Sequence, residues 1–372
     1  MRILFVSPRP YLPQLLGGVE TTTADLCREL AALGHIPAVM CEIGRHDLLW
    51  LRNRVANRLS GRSFPRATFE GTSVYRGYDP RTGLGEVLDD FFPDVLVVCG
   101  GSAAALDLVP ACIATGVPTA FYAHELLALR RRADAPQLLA GAALLANSAY
   151  TAHVLRQLIG REAHVLPPLV AADLYRTETS RTHVTMINPR QIKGGATALA
   201  LAKACPDIPF VIVEAWDRAD AFVAQLRAAA AKLPNVTWRR AMSDMVAVYS
   251  GTRVLLVPSE WEETWGRVVT EAHTSGIPAL ATQRAALPES VGPGGLLVEP
   301  DAPLEAWVRA LRSLWDDEGL YDSLAAAALA YSRRAEAQPA RRAAAFVTAL
   351  STLSGAATPS TASPPSPPSA RT

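Results

Sequence analysis

The chain has 372 residues, 49% of them hydrophobic, enough to bury the cores of two domains of ordinary size. Its 36 Lys and Arg against 35 Asp and Glu leave a formal charge of +1, a balance that argues against nucleic acid as a partner. No apolar run is long enough to span a membrane. Five scattered cysteines (Cys27, Cys41, Cys99, Cys112, Cys205) without a CxxC pair read as reduced residues of a cytoplasmic protein, not as a disulfide framework or a zinc site.

Residues 3–6 predict a first strand; the apolar run meets Pro8 too soon for a signal peptide. A proline-rich loop over 7–16 leads to Gly17-Gly18 and an amphipathic helix ending at Leu33-Gly34. A glycine pair between strand and helix lets the backbone approach a ligand closely. A second strand is expected over 36–41. Residues 45–62 read as a helix on which Leu48, Leu51, Val55 and Leu59 form a narrow stripe flanked by Arg45, Arg52, Arg54 and Arg58. Such a helix either packs its stripe on the domain core or lies on an anionic membrane surface, and both readings stand open. Strands over 94–99 and 119–122 follow. His124 and Glu125 close the second, at the strand end that faces the ligand crevice in a Rossmann-like sheet. Arg130-Arg131-Arg132 reads as a solvated charge run. At Asn147-Ser148 a strand passes into a helix, with Ser148 as N-cap.

Pro167-Pro168 ends the first half. The second opens with a strand over 184–188 and continues through Arg190 to Lys193-Gly194-Gly195 at a helix start, where backbone amides and a point charge suit a phosphate. A strand over 210–213 is followed by a turn with Trp216, a candidate to stack on a base. A short strand over 236–238 and a short helix over 244–249 lead to an apolar strand over 253–257, an acidic and aromatic loop, and a helix over 268–274 stopped by Gly276 and Pro278. Amphipathic helices over 303–335, a last helix over 340–350, and a Ser/Thr/Pro/Ala tail expected to be disordered complete the chain. The expected division is 1–168, 169–336, a crossing helix in 337–353, and a tail over 354–372.

Glu263 and Glu271 bracket the start of the helix after Gly266. A phosphate on the amides of 266–268 would have a hydroxyl-binding carboxylate on either side. Glu263-x7-Glu271, with Trp265-Gly266 inside it and Glu271-Ala272-x3-Gly276-x-Pro278 after it, resembles the signature of the family 4 retaining glycosyltransferases. The resemblance extends over about residues 1–350. It implies the α/β GT-B fold, two Rossmann-like α/β/α domains facing across a cleft. It implies transfer of a sugar from a nucleotide-diphospho-sugar to a glycan, lipid-linked or small-molecule acceptor, in polysaccharide or cell-envelope assembly. It places Glu263 and His124 at the transferring sugar, Glu271 on the ribose, and Gly17, Gly18, Lys193, Trp265 and Gly266 around the rest of the donor. The family's usual arginine is absent, Ile187-Asn188 standing in its position, so Arg190 and Arg267 are the candidate second cations. No Asp-x-Asp motif follows a strand, so no metal or other cofactor is expected. The contrasting expectation is a catalytically silent GT-B protein that binds a sugar nucleotide or scaffolds glycan assembly. A nucleotide-sugar 2-epimerase shares the fold but not the Glu-x7-Glu string.

Overall fold

The computed structural model describes residues 1–45, 47–214 and 220–355, without the side chains of 354 and 355. Trp216 and the tail from 356 onward lie outside the described residues.

The first half runs β1 (Arg2–Pro10), α1 (Gly18–Ala32), β2 (Ile36–Glu42), α2 (Leu48–Ser60), β3 (Arg66–Phe69), β4 (Thr72–Gly77), α3 (Pro80–Phe91), β5 (Val95–Gly100), α4 (Ala103–Ile113), β6 (Thr119–Ala123), α5 (Leu127–Arg131), α6 (Ala135–Leu138), β7 (Ala143–Ala146), α7 (Ala149–Ile159) and β8 (His164–Val165). The second runs β9 (His183–Ile187), α8 (Gly195–Ala204), β10 (Phe210–Val213), α9 (Ala221–Ala230), β11 (Val236–Arg239), α10 (Met245–Tyr249), β12 (Thr252–Val257), α11 (Arg267–His273), β13 (Ala279–Thr282), α12 (Leu287–Val291), β14 (Gly295–Val298), α13 (Leu304–Asp316), α14 (Glu318–Arg333) and α15 (Pro339–Gly355).

The first sheet has the order β3-β4-β2-β1-β5-β6-β7-β8, and the second β11-β10-β9-β12-β13-β14. All pairs are parallel except β3 with β4. This is the two-domain GT-B arrangement. In each sheet the winding reverses beside its first strand, between β1 and β5 and between β9 and β12. Loops at the carboxyl ends of the strands diverge there and leave a crevice.

The strands are buried on both faces, so their side chains alternate between two cores. Leu4 and Val6 of β1 face one cluster with Met40, Leu96 and Val98; Ile3 and Phe5 face the other with Val39, Val95 and Val97. That second cluster is closed by the last helix. Phe346 of α15 stacks on Phe5 at 5.9 Å between ring centroids and leans on Tyr122 at 5.8 Å. The chain therefore returns from the second domain to complete the core of the first.

Three sequence expectations change. The first strand continues through the prolines to Pro10, because β2 still pairs with it there. The hairpin β3–β4 and helix α3 were not expected; short strands carrying Arg, Thr and Ser give little apolar alternation. The stripe on α2 is not packed on the core. Leu48, Leu51, Val55 and Leu59 are 76%, 53%, 51% and 84% exposed, and no residue of that helix is buried.

Phe346→Ala removes a fully buried ring from the core that joins α15 to the first sheet. It is expected to destabilise the protein by about 3–5 kcal/mol, read as a lower denaturation midpoint. An unchanged midpoint would mean that α15 is not part of that core.

Candidate functional site

The carboxyl ends of both sheets open onto one cleft of 740 Å³. It is lined by Gly17, Gly18, His124, Lys193, Glu263, Trp265, Gly266, Arg267 and Glu271, among others. Nine of the ten residues singled out from the sequence thus meet in one place. Arg190 is the exception. Its guanidinium lies 3.4 Å from Asp220, which caps α9, and it does not line the cleft.

The second-domain wall is built by two turns that require glycine. Gly194 has φ +78°, and a Cβ there would lie 1.9 Å from the carbonyl oxygen of Pro258. Gly266 has φ +90°, and a Cβ would meet Leu287 at 2.7 Å. The first turn brings Lys193 against the acidic loop. Lys193 Nζ donates to Glu263 Oε1 at 2.5 Å, and Ser259 Oγ donates to the same oxygen at 2.9 Å. Lys193 is therefore not an isolated point charge; it forms one unit with Glu263, whose Oε2 carries neither of these bonds.

Glu271 is buried on α11. Its Oε1 accepts from Arg267 Nε at 2.8 Å and its Oε2 from the Tyr249 hydroxyl at 2.9 Å. Each carboxylate oxygen keeps lone-pair capacity for a further donor. Burial pushes Glu271 above the usual carboxylate range, and Arg267 and Tyr249 pull it back.

Arg267 changes role. Besides Glu271, its guanidinium donates to the carbonyl of Leu169 at 2.7 Å, to Tyr175 Oη at 2.9 Å, to Thr22 at 3.4 Å, and to Asp25 of α1 in a short ion pair. Five protein contacts occupy the fork. As a candidate second cation for a diphosphate it is already committed, because two buried carboxylates flank it; it ties α11 to the first domain instead.

Three more residues of the second domain, Thr264, Glu289 and Glu262, reach across the cleft. Asn147 Nδ2 donates to Thr264 Oγ1 at 2.8 Å, and that hydroxyl donates to the carbonyl of His124 at 2.7 Å. The Glu289 carboxylate accepts from the amides of Ala149 and Tyr150, at 2.8 and 2.6 Å, capping α7 from the other domain. Glu262 takes the fork of Arg130, at distances down to 2.5 Å, and the hydroxyl of Tyr150 at 2.6 Å. The Arg130–Arg132 run is thus not only a solvated face.

His124 is buried, with its ring centroid 4.2 Å from that of Tyr122 and no hydrogen-bond partner at Nε2. Burial, helped by nearby Arg9, drops its pKa to about 3. It is neutral at ordinary pH, a hydrogen-bonding group rather than a proton shuttle. Among the described residues no group of three or more His, Cys, Asp or Glu is placed to hold a metal ion. Sequence reasoning missed Asp25, Tyr175, Tyr249 and Thr264, whose roles come from partners distant in the chain, and Ser259, which bonds Glu263 four residues on. It also missed Arg9 and Glu20, which line the first-domain wall.

Two family descriptions match the chain: "Glycosyltransferase Family 4" over residues 16–174 and "Glycosyl transferases group 1" over 191–330. A D-inositol 3-phosphate glycosyltransferase of Corynebacterium glutamicum is 42% identical over 81 residues, 21% of this chain and 19% of that protein. The matched stretch thus spans about a fifth of the length of such relatives. Among solved structures, Anabaena HepE in complex with UDP-glucose superposes with a TM-score of 0.75 at 18% identity, over 95% of this chain and 100% of that one. Sucrose-phosphate synthase from Thermosynechococcus elongatus gives 0.77 at 15% identity, over 96% and 100%.

Arg267→Met would leave Asp25 and Glu271 buried without their shared cation. Breaking a buried pair in this way costs about 3–5 kcal/mol. The melting temperature is expected to fall clearly. A variant melting like the wild type would show that the cluster does not hold the domains together.

Proposed function

We propose that this chain, which belongs to the family 4 (group 1) glycosyltransferases, transfers a sugar from a nucleotide-diphospho-sugar to a hydroxyl acceptor with retention of anomeric configuration and without a metal. The observation that carries the reading is the second-domain wall of the cleft. Glu263, joined to Lys193, and Glu271 stand on either side of the Gly266 turn, all lining one cleft large enough for a sugar nucleotide.

In this reading Glu271 accepts hydroxyl hydrogens of the ribose, and the mixed apolar pocket of Met186, Val213, Met242 and Met245 takes the base. Glu263 Oε2 accepts from hydroxyls of the transferring sugar. Lys193 Nζ, with two protons beyond the one it gives Glu263, reaches a diphosphate oxygen. Charge builds on the leaving diphosphate as the glycosidic bond stretches. A fixed ammonium and backbone amides there stabilise the transition state more than the ground state. His124, neutral, offers a hydrogen bond at the sugar. Relatives named for D-inositol 3-phosphate and a neighbour solved with UDP-glucose make inositol derivatives and UDP-sugars the first substrates to try.

Glu263→Gln and Glu271→Gln should fail differently. Glu271 holds a part of the donor that does not change in the reaction, so its loss mainly raises the donor KM. Glu263 holds the part that gains positive charge, so its loss mainly lowers kcat. One hydrogen bond to a charged group is worth about 1.5–3 kcal/mol, roughly 10- to 150-fold. Steady-state kinetics in EDTA test both points. Near-normal kcat in Glu263→Gln, or loss of turnover restored by manganese, contradicts the reading.

The site is carried to a lipid surface by α2. Its exposed apolar stripe, between Arg52 and Arg54 and followed by Arg58, fits an anionic bilayer interface. Arg54 lies over the Trp50 ring at 4.8 Å, a pairing suited to the headgroup level. Changing Arg52, Arg54 and Arg58 to Ser removes about 1 kcal/mol each, so co-sedimentation with phosphatidylserine vesicles should weaken roughly 100-fold. Equal binding by both proteins would end the proposal.

A further inference from the structure

On the first-domain wall, opposite Lys193 and Glu263, a second charged cluster remains unexplained. Glu20 sits in the first turn of α1, with a side chain only 3% exposed. Both of its carboxylate oxygens are buried, and among the described residues neither has a hydrogen-bond partner. It is pressed against the glycine loop: a Cβ at Gly17 would lie 2.3 Å from Glu20 Oε2. Glycine at position 17 therefore makes room for this carboxylate. Arg9 approaches Glu20 Oε1 at 3.6 Å and also donates to Glu125 Oε1 at 3.1 Å. One guanidinium is thus shared between two carboxylates, and all three side chains line the cleft.

A buried carboxylate without a hydrogen bond is costly to the fold, and Arg9 at 3.6 Å and the start of α1 repay part of that desolvation. Burial pushes Glu20 above the ordinary carboxylate range, with Arg9 opposing. The unmet need of Glu20 is for hydrogen-bond donors arriving from the cleft. The cluster of Arg9, Glu20 and Glu125 carries a net charge of −1 when ionised, which repels an anionic group and favours one that donates hydrogen bonds.

We infer that Arg9, Glu20 and Glu125 form an acceptor-recognition site that takes the hydroxyls of an uncharged polyol or sugar, with Glu20 accepting from a hydroxyl of the acceptor and the cluster discriminating against phosphorylated ones. This rests on the glycosyl-transfer reading and deepens it. It separates this chain's acceptor from the phosphorylated one named for the relatives. Glu20 abstracts no proton in this scheme; it orients the acceptor and fixes which hydroxyl points toward the donor carbon.

The test uses the full chain, a UDP-sugar donor that it hydrolyses, and two acceptor sets: neutral polyols and sugars including myo-inositol, and their monophosphates including D-inositol 3-phosphate. Wild-type protein is expected to transfer to members of the neutral set at least tenfold better than to their phosphates. Glu20→Gln is expected to raise the acceptor KM at least tenfold while the donor KM moves less than twofold. Glu20→Gln keeps the size and shape of the side chain and loses the Arg9 ion pair, which the relief of burying a charge offsets, so it should melt close to the wild type. Preference for the phosphates, no transfer to any neutral acceptor, or a Glu20→Gln defect equal in donor and acceptor KM would overturn the inference. A lowered melting temperature with unchanged acceptor KM would do the same. Absence of donor hydrolysis by the wild type with any nucleotide-sugar would instead count against the glycosyl-transfer reading itself.

Discussion

A buried guanidinium ties the two domains together at the cleft. Arg267 stands at the start of α11, where Gly266 turns the chain, and it reaches across to Asp25 on α1 while holding Glu271 on its own helix. A charge in this setting tolerates no loss of partners, because each ion has surrendered its hydration. The consequence is geometric. Glu271 is held in the cleft by Arg267 and by Tyr249, and Arg267 is fully satisfied only while α1 is near. The carboxylate of Glu271 on one domain is thereby tied to the helix that starts at Gly17-Gly18 on the other.

The lighter contacts around the rim follow the same logic with smaller stakes. Glu262 with Arg130, and Glu289 at the amides of α7, are partly solvated and contribute little individually to stability. They fix register more than energy. Thr264 works differently: it is buried, next in sequence to Glu263, and bonded to both Asn147 and the carbonyl of His124. The residue beside Glu263 is thus anchored to the strand end that presents His124. The two walls of the cleft differ in how their charges are paired. On the second-domain wall Lys193 is joined to Glu263 and Arg267 to Glu271; on the first-domain wall one guanidinium, Arg9, faces two carboxylates, Glu20 and Glu125.

What the sequence made legible was local. The string from Glu263 to Pro278 encodes a turn, a helix start and two carboxylates within one short span, so its geometry could be read without knowing the fold. The buried strands were equally visible as runs of Val, Leu and Ile. The roles of Arg267 and Arg190 were not. Both are cations near a glycine turn, and partners far along the chain, Asp25 at 242 positions from Arg267 and Asp220 for Arg190, help decide where each points. Glu20 was hidden for a related reason: a carboxylate in a first helical turn looks like an ordinary partner of the helix dipole until its burial and lack of hydrogen bonds are seen. The stripe on α2 stood open because exposure depends on whether a neighbour covers it, and none of the described residues does.

The central claim is that both domains form one donor site. Amide hydrogen exchange with and without a tightly bound UDP-, GDP- or ADP-sugar tests it most directly. The account predicts that the ligand protects residues 258–273 together with 17–25, because Arg267 couples the two segments. Protection confined to either domain, or no change with any of these nucleotide-sugars, would contradict it.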